Sequence, residues 1–186
     1  MKHILGKKMG MTTLYDQQQG ALNVTLIECE PNTVSIVRTA EKDGYTAVQL
    51  ATAKTKKVTH HKEFRSQETI TLAVGDKVTV ENFTIGDLVK VSGIAKAKGF
   101  QGVVKRHGFG GSPASHGHKH DLRAPGSIGA QQPQHVIKGK RMAGRMGGKR
   151  KSVKNVKVVY LNVEKNLIGV LGSVPGVVGR IVEVRG

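Results

Sequence analysis

The sequence is short of several residue types on which common classes of protein depend. Its 186 residues include one cysteine, no tryptophan and only 4% aromatic residues. The single cysteine, Cys29, excludes an intrachain disulfide and a zinc site built from several cysteines. So few aromatic side chains argue against a large aromatic-lined ligand pocket. Disulfide-rich secreted proteins and zinc-finger proteins are therefore excluded, and a typical metabolic enzyme is disfavoured.

Acidic residues and long hydrophobic runs are also scarce. Only 13 Asp and Glu stand against 30 Lys and Arg, so the formal net charge is +17 and a polyanionic partner is expected. No apolar run follows the basic residues of the first stretch, and the uncharged stretch 166–179 is too short to span a bilayer. We therefore expect a soluble, uncleaved, intracellular protein that does not bind membranes.

What the sequence does contain is one strongly basic segment, residues 96–151. It holds thirteen Lys or Arg and one acid, Asp121, for a net charge of +12, whereas the other 130 residues carry +5. It also holds 12 of the 24 glycines, and its apolar residues follow neither a strand nor a helix period. Such a segment cannot easily bury a core of its own, so we expect a long, irregular extension that orders on its partner.

The flanking residues have the pattern of a mainly β protein. Short β-rich runs are separated by turn residues, and no amphipathic helix of ten or more residues stands out. This spacing is typical of a small barrel or sandwich, so we predict a discontinuous body, residues 1–95 and 152–186, with segment 96–151 inserted between its strands. Residues 54–67 are predicted to form a short helix or a loop. The predicted strands are Val24–Ile27, Thr33–Arg38, Tyr45–Ala51, Thr69–Val74, Lys77–Glu81, Asp87–Val91, Val156–Val163, Leu167–Leu171 and Ile181–Val184.

A run of alternating histidines, His116, His118 and His120, raises the question of a metal site. Alternate side chains of an extended chain lie roughly 6–7 Å apart, which is too far for a compact tetrahedral site without a bend. No cysteine and only one acid lie close by in the sequence. Hydrogen bonding or stacking with nucleic acid is the simpler role, and we predict no metal.

Catalytic patterns are equally weak. The Gly-rich stretch 144–149 misses the phosphate-loop pattern twice, because Ala143 and Arg150 stand where Gly and Ser or Thr are needed. Cys29 lies in an apolar strand pattern, which is typical of an inert core thiol. Asp121 follows His120, but an ion pair of Asp121 with Arg123 or a lysine is the simpler expectation. We predict no cofactor, no small-molecule substrate and no enzymatic activity.

RNA is the polyanion that the basic segment fits best. Glycine lets a backbone approach phosphates closely, and thin, flexible, basic loops suit a groove within folded RNA. No helix-turn-helix, zinc finger or basic zipper is present, and the aromatic signature of ribonucleoprotein domains is missing. Arg106, Arg123, Arg141 and Arg145 are expected to make bidentate contacts. The predicted RNA-binding residues are Lys96, Lys98, Lys105, Arg106, His107, His116, His118, Lys119, His120, Arg123, Lys138, Lys140, Arg141, Arg145, Lys149, Arg150 and Lys151.

Two other classes remain as alternatives. An RNA-directed modification enzyme with a basic docking arm would need a cofactor pocket and a convergent acid or base, and the sequence indicates neither. A DNA-compacting protein would bind duplex DNA about as well as structured RNA.

Six blocks of sequence give the chain a clear resemblance. They occur in order and span nearly the whole chain: Leu5–Thr12, Lys98–Arg106, Ser115–Gly117, Arg123–Gly129, Lys138–Gly147 and Gly172–Gly176. In these blocks the chain resembles the bacterial form of the universal large-subunit ribosomal protein L-three family.

This resemblance implies a fold and a setting that composition alone does not. It implies a small closed β-barrel related to translation-factor barrels, with a long basic extension that reaches towards the peptidyl-transferase centre. It implies binding near the 3′ end of the large ribosomal RNA, a role in early subunit assembly and residence in the cytoplasmic ribosome. Large-subunit proteins L-fourteen and L-nineteen are the implied neighbours, and no catalytic group is implied.

The resemblance also implies a modification site. Some bacterial members carry a methylated glutamine a few residues after the block that ends at Gly129. Here the following stretch is one residue shorter than the family pattern, so Gln132 is the best match and Gln131 is the alternative.

Overall fold

The computed structural model describes residues 2–55, 57–66 and 70–186 and is mainly β. Its chain divides into two compact units, Met1–Ala95 with Arg150–Gly186, called the body here, and Lys96–Lys149, called the basic unit. No helix within the described residues is long and apolar enough to cross a membrane. The strands are β1 His3–Asp16, β2 Gly20–Glu28, β3 Asn32–Arg38, β4 Ala47–Thr55, β5 Val58–Arg65, β6 Lys77–Val78, β7 Leu88–Ile94, β8 Phe100–Gln101, β9 Gly144–Arg145, β10 Arg150–Asn162, β11 Leu167–Leu171 and β12 Ile181–Arg185; the helices are α1 Ala40–Asp43 and α2 Val103–His107.

Six strands of the body pair in a closed ring. Each pairs antiparallel with two neighbours in the order β1-β12-β7-β10-β11-β2, and β2 pairs again with β1. Because side chains alternate along a strand, every second residue faces the interior of the ring. The buried residues of this first core are mostly β-branched, which suits a pleated surface. They include Ile4, Ile27, Val89, Val91, Val156, Val158, Ile168, Val170, Val182 and Val184.

A second sheet, in the order β5-β4-β3-β6, supplies the other core of the body. Val34, Val48, Leu50 and Phe64 are buried in this core together with Leu5 of β1. Ile4, the preceding residue of β1, belongs to the core of the ring. Neighbouring residues of β1 therefore serve two different cores, as the alternation of a strand requires.

Asn32 connects β1 with the start of β3. Its side chain is fully buried; its Oδ1 accepts a hydrogen bond from the backbone N–H of Leu5 at 2.6 Å. Its Nδ2 donates to the carbonyl oxygens of Leu5 at 3.1 Å and Glu30 at 2.8 Å. One amide group thus satisfies three backbone groups where β1 of the ring meets the start of β3 in the second sheet.

Substitution of Asn32 by alanine is expected to destabilise the body. The variant leaves the backbone N–H and C=O of Leu5 without these partners, and each unsatisfied buried group costs about 1–3 kcal/mol. We expect the free energy of unfolding to fall by about 2 kcal/mol, measured by urea unfolding followed by circular dichroism. Asn23→Ala, at an exposed position of β2, is the matched control and should change it by less than about 0.5 kcal/mol. Equal effects of the two substitutions would contradict this role of Asn32.

Most predicted strands are confirmed. β2, β3, β4, β7, β10, β11 and β12 each contain or overlap a predicted strand, and no described helix reaches ten residues. Two predictions are wrong, and a third is confirmed only in part. Residues 58–65 of the stretch expected to be a helix or loop form β5, which pairs with β4 along its whole length. The strand predicted over Thr69–Val74 is absent from its described part, 70–74, although Ile70 and Leu72 do pack against the second core; Thr69 lies outside the described residues. The strand predicted over Lys77–Glu81 is only two residues long and is followed by a 3-10 turn, Val80–Asn82.

Strand β1 was not predicted at all. Its sequence contains Gly6, Lys7, Lys8 and Gly10, which obscure the alternation of apolar and polar residues. Lys8 is nevertheless buried, and its Nζ donates to the carbonyl oxygens of Val174 at 2.7 Å and Gly176 at 3.2 Å. A buried lysine is acceptable in a strand when its donors are satisfied in this way.

Candidate nucleic-acid interface

The basic unit has a small ordered base. Phe100 pairs with Arg145 and Gln101 with Gly144 in the antiparallel β8–β9 pair. The backbone N–H of Lys98 donates to the carbonyl of Met146 at 2.9 Å, which extends this pairing. The five-residue helix α2 follows β8 and ends at Gly108, whose φ of 75° is the left-handed conformation that glycine adopts without strain.

Two glycines of the basic unit allow very close approach of backbone to backbone. A Cβ on Gly147 would lie 2.0 Å from the carbonyl oxygen of Lys96, and one on Gly111 would lie 2.1 Å from that of Leu122. Both residues also have a φ near +70°, which side chains disfavour. The high glycine content therefore has a structural reason at these two positions, independent of any partner.

Arg106 and His107 differ from the other predicted contact residues because they are half-buried. Arg106 Nη1 donates to the carbonyl oxygen of Met142 at 2.5 Å, and His107 Nε2 lies 3.0 Å from the same oxygen. His107 also contacts Phe109, with 6.0 Å between the ring centroids. These two side chains hold α2 to the region of Met142, and the remaining guanidinium donors of Arg106 are available for an external partner.

The other predicted residues of the basic unit are exposed. Within the described residues, no ion pair involves a base of this unit. The sequence predicted an ion pair of Asp121 with Arg123 or a lysine, and this prediction is wrong. An array of like charges without counter-charge favours a bound polyanion. The exposed residues are Lys96, Lys98, Lys105, His116, His118, Lys119, His120, Arg123, Lys138, Lys140, Arg141, Arg145 and Lys149.

Arg150 and Lys151 have a different setting from the rest of the predicted segment. Both belong to β10 of the body, where they pair with Ile94 and Gly93 of β7. The guanidinium of Arg150 is bound to the carboxylate of Glu183. The compact basic unit ends at Lys149, two residues before the end of the segment defined by charge.

The alternating histidines do not converge. His116 has a φ of 61°, and His116, His118 and His120 are all exposed. Among the described residues, no three His, Cys, Asp or Glu side chains are grouped so that they could hold a metal ion.

Cys29 is fully buried in the core of the ring. Burial raises the pKa of the Cys29 thiol strongly, and the negative charge of Glu28 acts in the same direction. A thiol that stays protonated in a core is a poor nucleophile, so its chemistry agrees with a structural role.

The candidate glutamines, Gln131 and Gln132, are both exposed in a turn that also contains Pro133. Neither makes a side-chain hydrogen bond within the described residues. Phe100, the one strongly exposed aromatic ring of the basic unit, is 77% exposed and is available for stacking on a base.

Sequence reasoning missed a further group of bases on the body. Lys62, Arg65, Lys90 and Arg185 line one surface cleft with Arg150, although they are far apart in the sequence. Alternation along β7 and β12 could have placed Lys90 and Arg185 on the outer face of their strands. The pairing of those two strands could not be read from the sequence.

Comparisons with known proteins agree on one family. The family model described as "Ribosomal protein L3" matches residues 65–165. The "Large ribosomal subunit protein uL3" of Leifsonia xyli subsp. xyli (strain CTCB07) is 46% identical over 202 aligned positions, which cover 98% of this chain and 92% of that protein. The protein of the same name from Prochlorococcus marinus (strain MIT 9215) is 42% identical over 201 positions, with the same coverage of both chains. The matches include the basic unit and the strands on either side of it.

Proposed function

Because the chain belongs to the ribosomal protein L3 family, we propose that it is a structural protein of the large ribosomal subunit that binds large-subunit ribosomal RNA. Its site of action is then the cytoplasmic ribosome, and it needs no catalytic group. The observation that carries the proposal is the charge of the basic unit. Eleven Lys or Arg stand against one acid between residues 96 and 149, and all but Arg106 are exposed.

The physical mechanism is charge neutralisation. A Lys or Arg that contacts a phosphate releases a condensed counterion, and this release drives binding and makes it sensitive to salt. It also lets neighbouring RNA segments approach each other, because their mutual repulsion falls. Arg123, Arg141 and Arg145 are the proposed bidentate contacts, together with the free donors of Arg106.

The finer assignments rest on the family resemblance. The closed six-stranded ring is proposed to be the translation-factor-like barrel, and segment 96–151 is proposed to be the extension that reaches into RNA towards the peptidyl-transferase centre. The proposed binding region is near the 3′ end of the large ribosomal RNA, with a role in early assembly. Proteins L-fourteen and L-nineteen are the proposed neighbours, and Gln132, or Gln131, is the proposed methylation site.

A competition experiment tests the proposal. The chain is bound to a labelled fragment from the 3′ region of large-subunit ribosomal RNA and challenged with unlabelled fragment or with random duplex DNA over a salt series. We expect the RNA fragment to compete at least about tenfold better at physiological salt, because a folded RNA groove presents phosphates from several directions.

Equal competition by RNA and duplex DNA would favour a DNA-compacting protein instead. A chemical change in the RNA that depends on an added cofactor, detected by mass spectrometry, would favour the modification enzyme.

A further inference from the structure

Two adjoining clefts on the body carry basic side chains outside the basic unit. Their volumes are about 260 and 180 Å³, and Lys90 and Arg185 line both. These volumes lie below the usual range for drug-sized ligands and suit a small group such as a phosphate. The other bases at the clefts are Lys62, Arg65 and Arg150 at the larger one and Lys154 at the smaller one.

The register of β7 and β12 forces Lys90 and Arg185 together. They are direct partners in this antiparallel pair, so their side chains leave the sheet on the same face. Their neighbours Val91 and Val184 are fully buried in the core of the ring, so that Lys90 and Arg185 lie on the outer face. Like charges directly opposite each other destabilise a strand pair unless a counter-charge lies between them.

The two acids at the larger cleft have other basic partners than Lys90 and Arg185, and the partners of Glu183 line the same cleft. Glu63 accepts from Arg38 at 3.0 Å. Glu183 is bound to Arg150 and lies 3.6 Å from the Nζ of Lys62. Within the ranges that the structure describes, neither Lys90 nor Arg185 has an ion pair or a side-chain hydrogen bond. The charges of Lys90 and Arg185 therefore face the clefts without a counter-ion from the described part of the chain.

Lys90, Arg185 and His3 lie side by side on three neighbouring strands, because Arg185 of β12 is the partner of Lys90 in β7 and of His3 in β1. The ring of His3 is buried against Phe64, with 4.9 Å between the ring centroids. Burial lowers the pKa of His3, and the positive charge of Arg185 acts in the same direction. His3 is therefore neutral near pH 7, and the positive charge of these three residues belongs to Lys90 and Arg185.

We propose that Lys90 and Arg185 form a second anion site and that a phosphate of the RNA backbone occupies it. The guanidinium of Arg185 can bind two phosphate oxygens side by side, and the ammonium of Lys90 adds a point charge from the facing strand. This inference rests on the proposed function. It adds a contact on the body, separate in sequence from the basic unit, and so a second point that fixes the orientation of the body on RNA.

The test compares two double variants of the full chain that remove equal charge. Lys90→Gln with Arg185→Gln removes the proposed site. Lys77→Gln with Lys165→Gln removes two exposed lysines of the body that line neither cleft. Binding of each to the 3′-region RNA fragment is measured over a salt series, and melting temperatures are measured without RNA.

We expect the first double variant to bind RNA about tenfold or more weakly, as the loss of charge-assisted hydrogen bonds predicts, while the control changes little. The slope of log affinity against log salt should fall by about 0.7–0.9 for one lost phosphate contact. The melting temperature of the first double variant should be unchanged or higher than that of the unaltered chain, because the repulsion between Lys90 and Arg185 is relieved. Lower stability would instead indicate a structural role.

The possible failures are distinguishable. If the unaltered chain does not prefer the RNA fragment over duplex DNA, the proposed function fails. If it does, and the two double variants bind RNA equally, only the second site is overturned. A third outcome is that the first double variant binds RNA as well as the unaltered chain does, while millimolar inorganic phosphate raises the melting temperature of the unaltered chain only. The site then binds a free anion, and its assignment to RNA is overturned.

Discussion

Replacement of residues 95–149 by an Asn-Gly turn is expected to lower the affinity for large-subunit ribosomal RNA by about a thousandfold or more at near-physiological salt. The replacement removes all eleven bases of the basic unit. If about half of them contact phosphates, the slope of log affinity against log salt should fall by about 4. Filter binding or fluorescence anisotropy over a salt series measures both quantities.

The body is expected to fold without this segment. Ile94 and Arg150 are direct partners in the β7–β10 pair, so the two ends to be joined are already adjacent. A two-residue Asn-Gly loop is the turn that such an antiparallel pair prefers. Both cores, with the closed ring and the second sheet, lie entirely outside the deleted residues.

Circular dichroism provides the control for this variant. Retained β signal with a cooperative melting transition shows that the loss of binding belongs to the deleted bases. Loss of the β signal would mean that the body depends on the segment to fold. A folded variant with unchanged RNA affinity would contradict the assignment of RNA binding to the basic unit.

Substitution of Gly6 by alanine has the largest expected effect on stability. A Cβ at this position of β1 would lie 2.4 Å from the Sγ of Cys29, 2.5 Å from Cγ2 of Ile27 and 2.9 Å from the carbonyl oxygen of Glu28. All three atoms belong to or flank the packed core of the ring, so moving them aside to make room for a Cβ would cost folding free energy. We expect the free energy of unfolding to fall by about 3 kcal/mol, a large part of the stability of a small domain.

Gly10 offers a matched control in the same strand. A Cβ there meets nothing within 4 Å, and the residue does not need a positive φ. Gly10→Ala should therefore leave the urea midpoint unchanged or raise it slightly, since alanine restricts the unfolded chain. If both substitutions had the same small effect, close packing around Gly6 would not be the reason for a glycine at that position.

How much of the fold the sequence predicts depends on where each residue's partners lie. β7 is predicted because Val89 and Val91 fall on one face, and β10, β11 and β12 are predicted because they contain runs rich in β-branched and other apolar residues; both signals are local. β1 is not predicted, because the carbonyl groups that satisfy the buried Lys8 lie more than 160 residues away in the sequence. β5 is rich in charged and histidine residues, so its composition alone indicates a helix or a loop. It is held in its sheet by pairing with β4.

Some features of the candidate interface can likewise be predicted from the sequence, and others need the fold. The excess of bases in segment 96–151 is visible by counting, because charge does not depend on the fold. The bond from Arg106 to the carbonyl of Met142 joins residues 36 apart, and no local pattern indicates it. The opposition of Lys90 and Arg185 needs the register of a strand pair whose members are 95 residues apart. Composition thus predicts the class of partner, whereas the proposed site on the body can be recognised only from the fold.

The burial of Cys29 makes the protein a convenient subject for spectroscopy. The chain has no other thiol, and this one is inaccessible and held in its unreactive form. A cysteine introduced at an exposed position of the basic unit, such as Ser115→Cys, therefore becomes the single target for a maleimide dye or a spin label. No background substitution that would open a cavity in the ring is needed. The surroundings of the labelled position in the basic unit can then be compared in one otherwise native chain, before and after RNA is added.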